Sequence, residues 1–146
     1  MNGPNSGQPE HLDTFTIQKD DFASAGSVSI SIKNVLKGIG LPAELLRRVA
    51  IVAFEAEMNV VMYGGGGEMR LFVSPEMVRL MVMDQGPGIP DLELAMTEGW
   101  STATPEMREM GFGAGMGLPN IRKNTDRLSI DTSPGRGTTL LAEIDL

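Results

Sequence analysis

Three features of the sequence predict a two-layer α/β sandwich, with a mixed, mostly antiparallel sheet and helices on one face. The first is element order. Apolar patterning runs strand, helix, helix, strand, strand, long loop, helix, strand, strand, and strands that follow one another without an intervening helix pair antiparallel. The second is the short connection Ser74-Pro75-Glu76 between two apolar runs, a tight hairpin signal. The third is size, since 146 residues suit one domain around one core.

Met1–Glu10 has neither a basic nor an apolar stretch, so residues 1–11 read as a flexible tail rather than a signal peptide, and residues 12–146 as the domain. Leu12–Gln18 alternates polar and apolar residues as a half-buried strand does. From Phe22 to Gly38, Ala25, Val28, Ile32, Val35 and Leu36 recur at three- and four-residue steps, an amphipathic helix stopped by Gly38 and Gly40. Pro42 opens a longer helix, Ala43 to Met62, which the glycine run Gly64–Gly67 must end. Glu68–Val73 and Met77–Asp84 form the hairpin strands. Between Gln85 and Gly117 lie seven glycines, and so long a loop in a small domain is more often functional than idle. Leu118–Thr125 is a short helix, and Arg127–Thr132 and Thr138–Ile144 are the last strands around the turn Ser133–Gly137.

Composition excludes several function classes. Twelve basic residues against nineteen acidic give a net charge of −7, which repels nucleic-acid phosphate at long range. The absence of cysteine removes disulfides, thiolate metal sites and Cys nucleophiles, and fits a reducing, cytoplasmic compartment. The longest apolar run, Val49–Phe54, is far short of the roughly 20 residues of a membrane span. Eleven methionines read first as plastic core filler.

Four polar or glycine-rich signals carry chemistry. On the second helix, Leu45, Val49, Val52, Ala53, Ala56, Val60 and Tyr63 fall on one core-facing arc. Glu55 and Asn59 project together at its edge, and Glu57 lies past the opposite edge. A solvated i,i+4 pair satisfies the same pattern. Asp84, at a strand end before Gly86 and Gly88, offers a fixed acceptor beside backbone that a flat ligand can approach, or a simple turn. Gly111, Gly113, Gly115 and Gly117 alternate into a helix start, where N–H groups attract an anion. They match neither G-x-x-x-x-G-K-[ST] nor G-x-G-x-x-G, and a linker is the competing reading. Gly135-Arg-Gly137-Thr138-Thr139 puts a hydroxyl at the entry to the last strand, near a ligand or capping a turn.

Taken in order, these segments resemble the GHKL (Bergerat-fold) ATPases, which include gyrase B, histidine kinases, the 90 kDa heat-shock chaperone and the mismatch-repair ATPase. Glu55-Ala-Glu-Met-Asn59 resembles the N box, Asp84-Gln-Gly86-Pro-Gly88 the G1 box, Gly113-Ala-Gly115-Met-Gly117-Leu118 the G2 box, and Gly137-Thr138-Thr139 the closing Gly-Thr element. Within the family, Asp84-Gln-Gly-Pro-Gly-Ile-Pro-Asp91 and Glu98-Gly-Trp-Ser-Thr-Ala103 are most similar to the anti-sigma-factor and serine-protein-kinase branch, above all its stress-signalling switch kinases.

The resemblance implies ATP and Mg²⁺ as cofactors. It makes Glu55 the general base, Asn59 the Mg²⁺ ligand, Asp84 the acceptor of the adenine amine and Thr138 its neighbour. Gly86 and Gly88 line the adenine, while Gly111, Gly113, Gly115 and Gly117, with Leu118, form the phosphate loop. Residues 91–110, with Trp100, would be a lid, and Tyr63 stands where many relatives carry His. The implied activity is ATP-dependent phosphorylation of Ser or Thr on a small STAS-domain partner, with no nucleic acid or membrane involved and a homodimer allowed. The alternative is an anti-sigma factor that sequesters a sigma subunit, with ATP as a conformational ligand. A histidine kinase is disfavoured, because the one histidine, His11, falls in the tail.

Overall fold

The computed structural model describes residues 9–19, 21–63, 65–89, 92–97, 117–133 and 135–146. Their elements are β1 (Glu10–Ile17), α1 (Ser27–Gly38), α2 (Ala43–Tyr63), β2 (Gly67–Val73), β3 (Met77–Asp84), α3 (Leu92–Ala95), α4 (Gly117–Lys123), β4 (Arg127–Ser133) and β5 (Gly137–Asp145). The five strands make one sheet in the order β1-β2-β3-β5-β4. All four pairings are antiparallel, so no mixed pairing occurs among the described residues. The chain leaves β3, crosses through α4 to the far edge as β4, and turns back so that β5 fills the gap.

Period-two burial shows which side of the sheet the helices cover. Val78, Leu80 and Val82 of β3, Met69 and Leu71 of β2, and Leu140, Ala142 and Ile144 of β5 are buried in one cluster with Ile32, Leu36, Val49, Val52 and Ile121 of the helices. Met77, Met81 and Met83 take the alternate, half-buried positions of β3, so they lie on the opposite side of the sheet, whereas Met69 sits in the core cluster and Met96 packs against it. The hairpin turn is held by Ser74, whose Oγ accepts the N–H groups of Glu76 and Met77, both at 3.1 Å.

Two element starts differ from the sequence pattern. β1 begins at Glu10 and takes in His11, whose ring lies 5.2 Å from that of Phe72; pairing with β2 extends the strand into the expected tail. α1 begins at Ser27 rather than Phe22, because Gly26 has φ +98°, a left-handed conformation that no right-handed helix can include. Among the described residues no helix is long and apolar enough to cross a membrane.

Candidate functional site

α2 is packed against α1, α4 and the sheet, so it buries more than a single arc: Leu46 beside the half-buried Leu45, and also Glu57, Met58 and Val61. Glu57 is the main correction to the helical-wheel reading. It is 2% exposed rather than past the edge of the core. Its Oε2 accepts the N–H groups of Gly26 and Val28 at 3.1 and 3.3 Å, and its Oε1 that of Ser29 at 3.0 Å. α1 has a glycine at its N-cap and no acidic residue in its first turn. The orphan donors of its first turn therefore find their acceptor on a neighbouring helix.

Glu55 and Asn59 sit where the sequence puts them, half-buried on one edge of α2. That edge meets α4. The Asn120 side chain donates from Nδ2 to Glu55 Oε2 at 2.7 Å. One turn along, a Cβ on Gly117 would stand 3.3 Å from Asn59 Oδ1, so glycine lets the start of α4 approach the Asn59 amide. Glu55 and Asn59, four apart on α2, thus face Asn120 and Gly117, three apart on α4. Leu118 faces the other way, buried in the core at 8% exposure, and acts as packing that anchors α4.

The second cluster is at the end of the sheet. Gly67, Asp84 and Thr138 lie side by side in register on β2, β3 and β5, and Thr132 of β4 pairs with Thr138. Asp84 Oδ1 accepts the N–H groups of Gly86 at 2.9 Å and Thr138 at 3.2 Å, and among the described residues Oδ2 has no partner. Burial raises the Asp84 carboxyl above its ordinary value, and the two backbone bonds from Gly86 and Thr138 pull against that rise. The corner is too tight for side chains: a Cβ on Gly67 would strike the Met83 carbonyl, and one on Gly137, at φ +89°, the Asp84 carbonyl. Thr132 closes it, with Oγ1 accepting the Ile89 N–H at 2.8 Å and lying 2.9 Å from Thr138 Oγ1.

The two clusters share one end of the molecule. From Asn59, α2 runs one more turn to Tyr63 and returns through Gly65 and Gly66 to Gly67, which pairs directly with Asp84; the Gly65 turn packs against Gly86. Gly88, at φ +82°, continues the bend after Asp84. Gly111, Gly113 and Gly115 lie outside the described residues, as does most of the expected lid apart from α3 and the two residues after it. A cleft of about 440 Å³ lies between α3, α4 and β4, lined by Leu92, Met96, Arg122, Thr125, Asp126, Leu128 and Ile130. None of these was singled out as a site residue, but Ile130 is two residues from Thr132 on the same side of β4.

Sequence reasoning missed Asn120, Thr132 and Glu57. Asn120 had a faint signal, directly following the glycine run and Pro119. Glu57 had one in the bare first turn of α1, which needs an acceptor from elsewhere.

An acceptor carboxylate clamped by glycines at a sheet end, together with a Glu/Asn pair on the neighbouring helix, is the arrangement on which the GHKL resemblance rested. Residues 46–146 match the family model described as histidine kinase-, DNA gyrase B-, and HSP90-like ATPase. The chain belongs to this ATPase family. It is 29% identical over 114 residues to the serine/threonine-protein kinase RsbT of Bacillus subtilis, covering 75% of this chain and 80% of that protein. To the anti-sigma F factor of Bacillus subtilis it is 32% identical over 137 residues, 89% of this chain and 87% of the other. Among solved structures, the SiaB-SiaC complex from Pseudomonas aeruginosa aligns with a TM-score of 0.65 at 12% identity, over 92% of this chain and 90% of that one. The mycobacterial sensor histidine kinase MprB aligns at 0.54 and 17%, over 91% and 97%. At these identities the two structures speak for the ATPase fold alone.

Proposed function

We propose that this ATPase-family chain is an ATP-dependent protein kinase that phosphorylates Ser or Thr on a small STAS-domain partner. The observation that carries the reading is the Glu55 carboxylate, held by Asn120 beside Asn59 with no cation bound to it among the described residues. A carboxylate oriented by an amide and not neutralised is suited to accept a proton. In the reaction, Glu55 takes the proton of the partner's hydroxyl as that oxygen attacks the γ-phosphorus. The bond to the β–γ bridging oxygen breaks, leaving a phosphorylated partner and ADP. The site asks of the protein mainly positioning and charge neutralisation.

The residues fit the nucleotide chemically. Asp84 Oδ2 accepts the adenine amine, Thr138 lies beside it, and Gly86 and Gly88 let the base approach. The Gly111–Gly117 run serves the phosphates. Among the described residues no three His, Asp or Glu side chains converge on a metal position. The Asn59 side chain would hold Mg²⁺, in keeping with that ion's preference for few protein ligands beside substrate phosphates, and the ion would supply neutralisation of phosphate charge.

The similarity to anti-sigma F factors over most of the chain supports a second reading, sequestration of a sigma subunit with ATP as a conformational ligand. One experiment separates the two: incubation with γ-labelled ATP, Mg²⁺ and STAS-domain or sigma proteins encoded nearby. Label transferred to a STAS protein supports the kinase. ATP-dependent sigma binding without any transfer overturns it in favour of sequestration.

A further inference from the structure

The contact between α4 and Glu55 has a polarity that chemistry fixes. An ionised carboxylate offers acceptors alone, so the Asn120 amide must turn its nitrogen toward Glu55, and Nδ2 lies 2.7 Å from Oε2. That length is at the short end for a hydrogen bond to a charged oxygen. Among the described residues Glu55 Oε1 has no partner, so the two oxygens of one carboxylate are no longer equivalent: one is tied, the other is open.

Asn120 can hold Glu55 because its own place is secure. Leu118, Pro119 and Ile121, on either side of it in α4, are buried, and its carbonyl oxygen accepts Asn124 Nδ2–H at 2.8 Å. A glutamate side chain has much rotamer freedom to lose, and a bond from a fixed helix removes it before the reaction begins. Helix propensity gives no reason for asparagine here, since alanine is the better helix former. The same turn of α4 starts at Gly117, which lies against the Asn59 amide, so Asn59 and Glu55 are held in one frame. We infer that Asn120 is a positioning residue: it ties Glu55 to α4 through Oε2 and so makes Oε1 the oxygen that takes the partner's proton. It acts through Glu55. The inference rests on the kinase reading above.

The test is single-turnover phosphoryl transfer from γ-labelled ATP to the STAS-domain protein that accepts label in the experiment above. The full chain is compared as wild type, Asn120→Ala, Asn120→Asp, Glu55→Gln and the double variant of Asn120→Ala with Glu55→Gln. Alanine suits a helix and the bond from Asn124 goes to the main chain, so α4 should persist, and circular dichroism checks it. Asn120→Ala should slow transfer about tenfold or more, the scale of one hydrogen bond to a charged group, with ATP affinity near wild type by calorimetry. Asn120→Asp keeps the shape but sets acceptor against acceptor, and should slow transfer at least as far. In the Glu55→Gln background no base is left to position, so Asn120→Ala should cost less than about twofold. A merely structural role would slow transfer equally in both backgrounds; that result, or a wild-type rate in Asn120→Ala, overturns the inference. Should Asn120→Ala not fold, a wild-type rate in Asn120→Asp overturns it as well. Wild type that labels no STAS protein, or Glu55→Gln that transfers at the wild-type rate, overturns the kinase reading and this inference with it.

Discussion

At one end of the sheet Arg127 donates to both Glu143 and Asp145, Arg79 closes on the other side of Glu143, and Arg48 reaches Asp126. At the other end Asp84 receives, among the described residues, backbone N–H groups alone. Their titration differs accordingly. Burial would raise the Glu143 carboxyl, but bonds from Arg127 and Arg79 outweigh it and hold Glu143 below its ordinary range; Asp145 is lowered by Arg127. Asp84 is raised by burial. Carboxylates whose acceptor capacity is filled by guanidinium groups tie strands together and have little left for a ligand. A carboxylate clamped by amides keeps an oxygen for a donor from outside, and the fold bears the cost of burying it. Glu55, bonded to Asn120, belongs to the second kind.

The widest gap between the two kinds should appear at Glu55. Glu55→Gln keeps the shape and the contact with Asn120 but cannot take a proton, so phosphoryl transfer should fall by about 10² to 10⁴ while calorimetry shows near-unchanged ATP affinity. Glu57 is a carboxylate bonded by amides in a structural role. Glu57→Ala strands three N–H donors at the start of α1 and should cost about 3 kcal/mol or more in urea unfolding, since bonds to a charged group contribute ~1.5–3 kcal/mol each.

Asp84→Asn should weaken ATP by about 1.5–3 kcal/mol and leave Tm unchanged or raised, because the amide oxygen can still take both backbone bonds without a buried charge. Binding and stability move apart only if Asp84 serves a ligand. Glu143→Gln should instead lose about 0.5–1 kcal/mol of stability and leave ATP affinity alone.

The pH dependence of Tm sharpens the same contrast by its sign. Glu143, with a lowered folded value, contributes stability above the ordinary glutamate value of about 4.3, and that stability is lost as pH falls through the lowered value. Asp84, with a raised one, contributes below the ordinary aspartate value of about 3.9 and loses that contribution as pH rises through its raised value. Relative to wild type, Asp84→Asn should therefore gain Tm with rising pH, and Glu143→Gln should lose it.

How much of this the sequence disclosed follows from the range of each interaction. β3 and α2 were readable almost to the residue, because alternation, Pro42 and the glycine run act within a few positions. Glu55, Asn59 and Asp84 were legible as local patterns. Glu57 was not, since its partners are 28 to 31 residues away and a helical wheel has no knowledge of a second helix needing a cap. Thr132 was hidden for a similar reason: its importance comes from Ile89, 43 residues distant. The start of α1 failed on a single left-handed glycine that periodicity cannot register.

The most direct measurement of the central claim, that nucleotide binds at the Asp84 end of the sheet rather than at the Arg127–Glu143–Asp145 end, is amide NMR of the labelled chain titrated with MgATP. Shifts should concentrate at Gly86, Ile89, Gly117, Asn120 and Thr138, with Arg127, Glu143 and Asp145 unmoved. Shifts centred on Arg127 to Asp145, or none at saturating nucleotide, would contradict it.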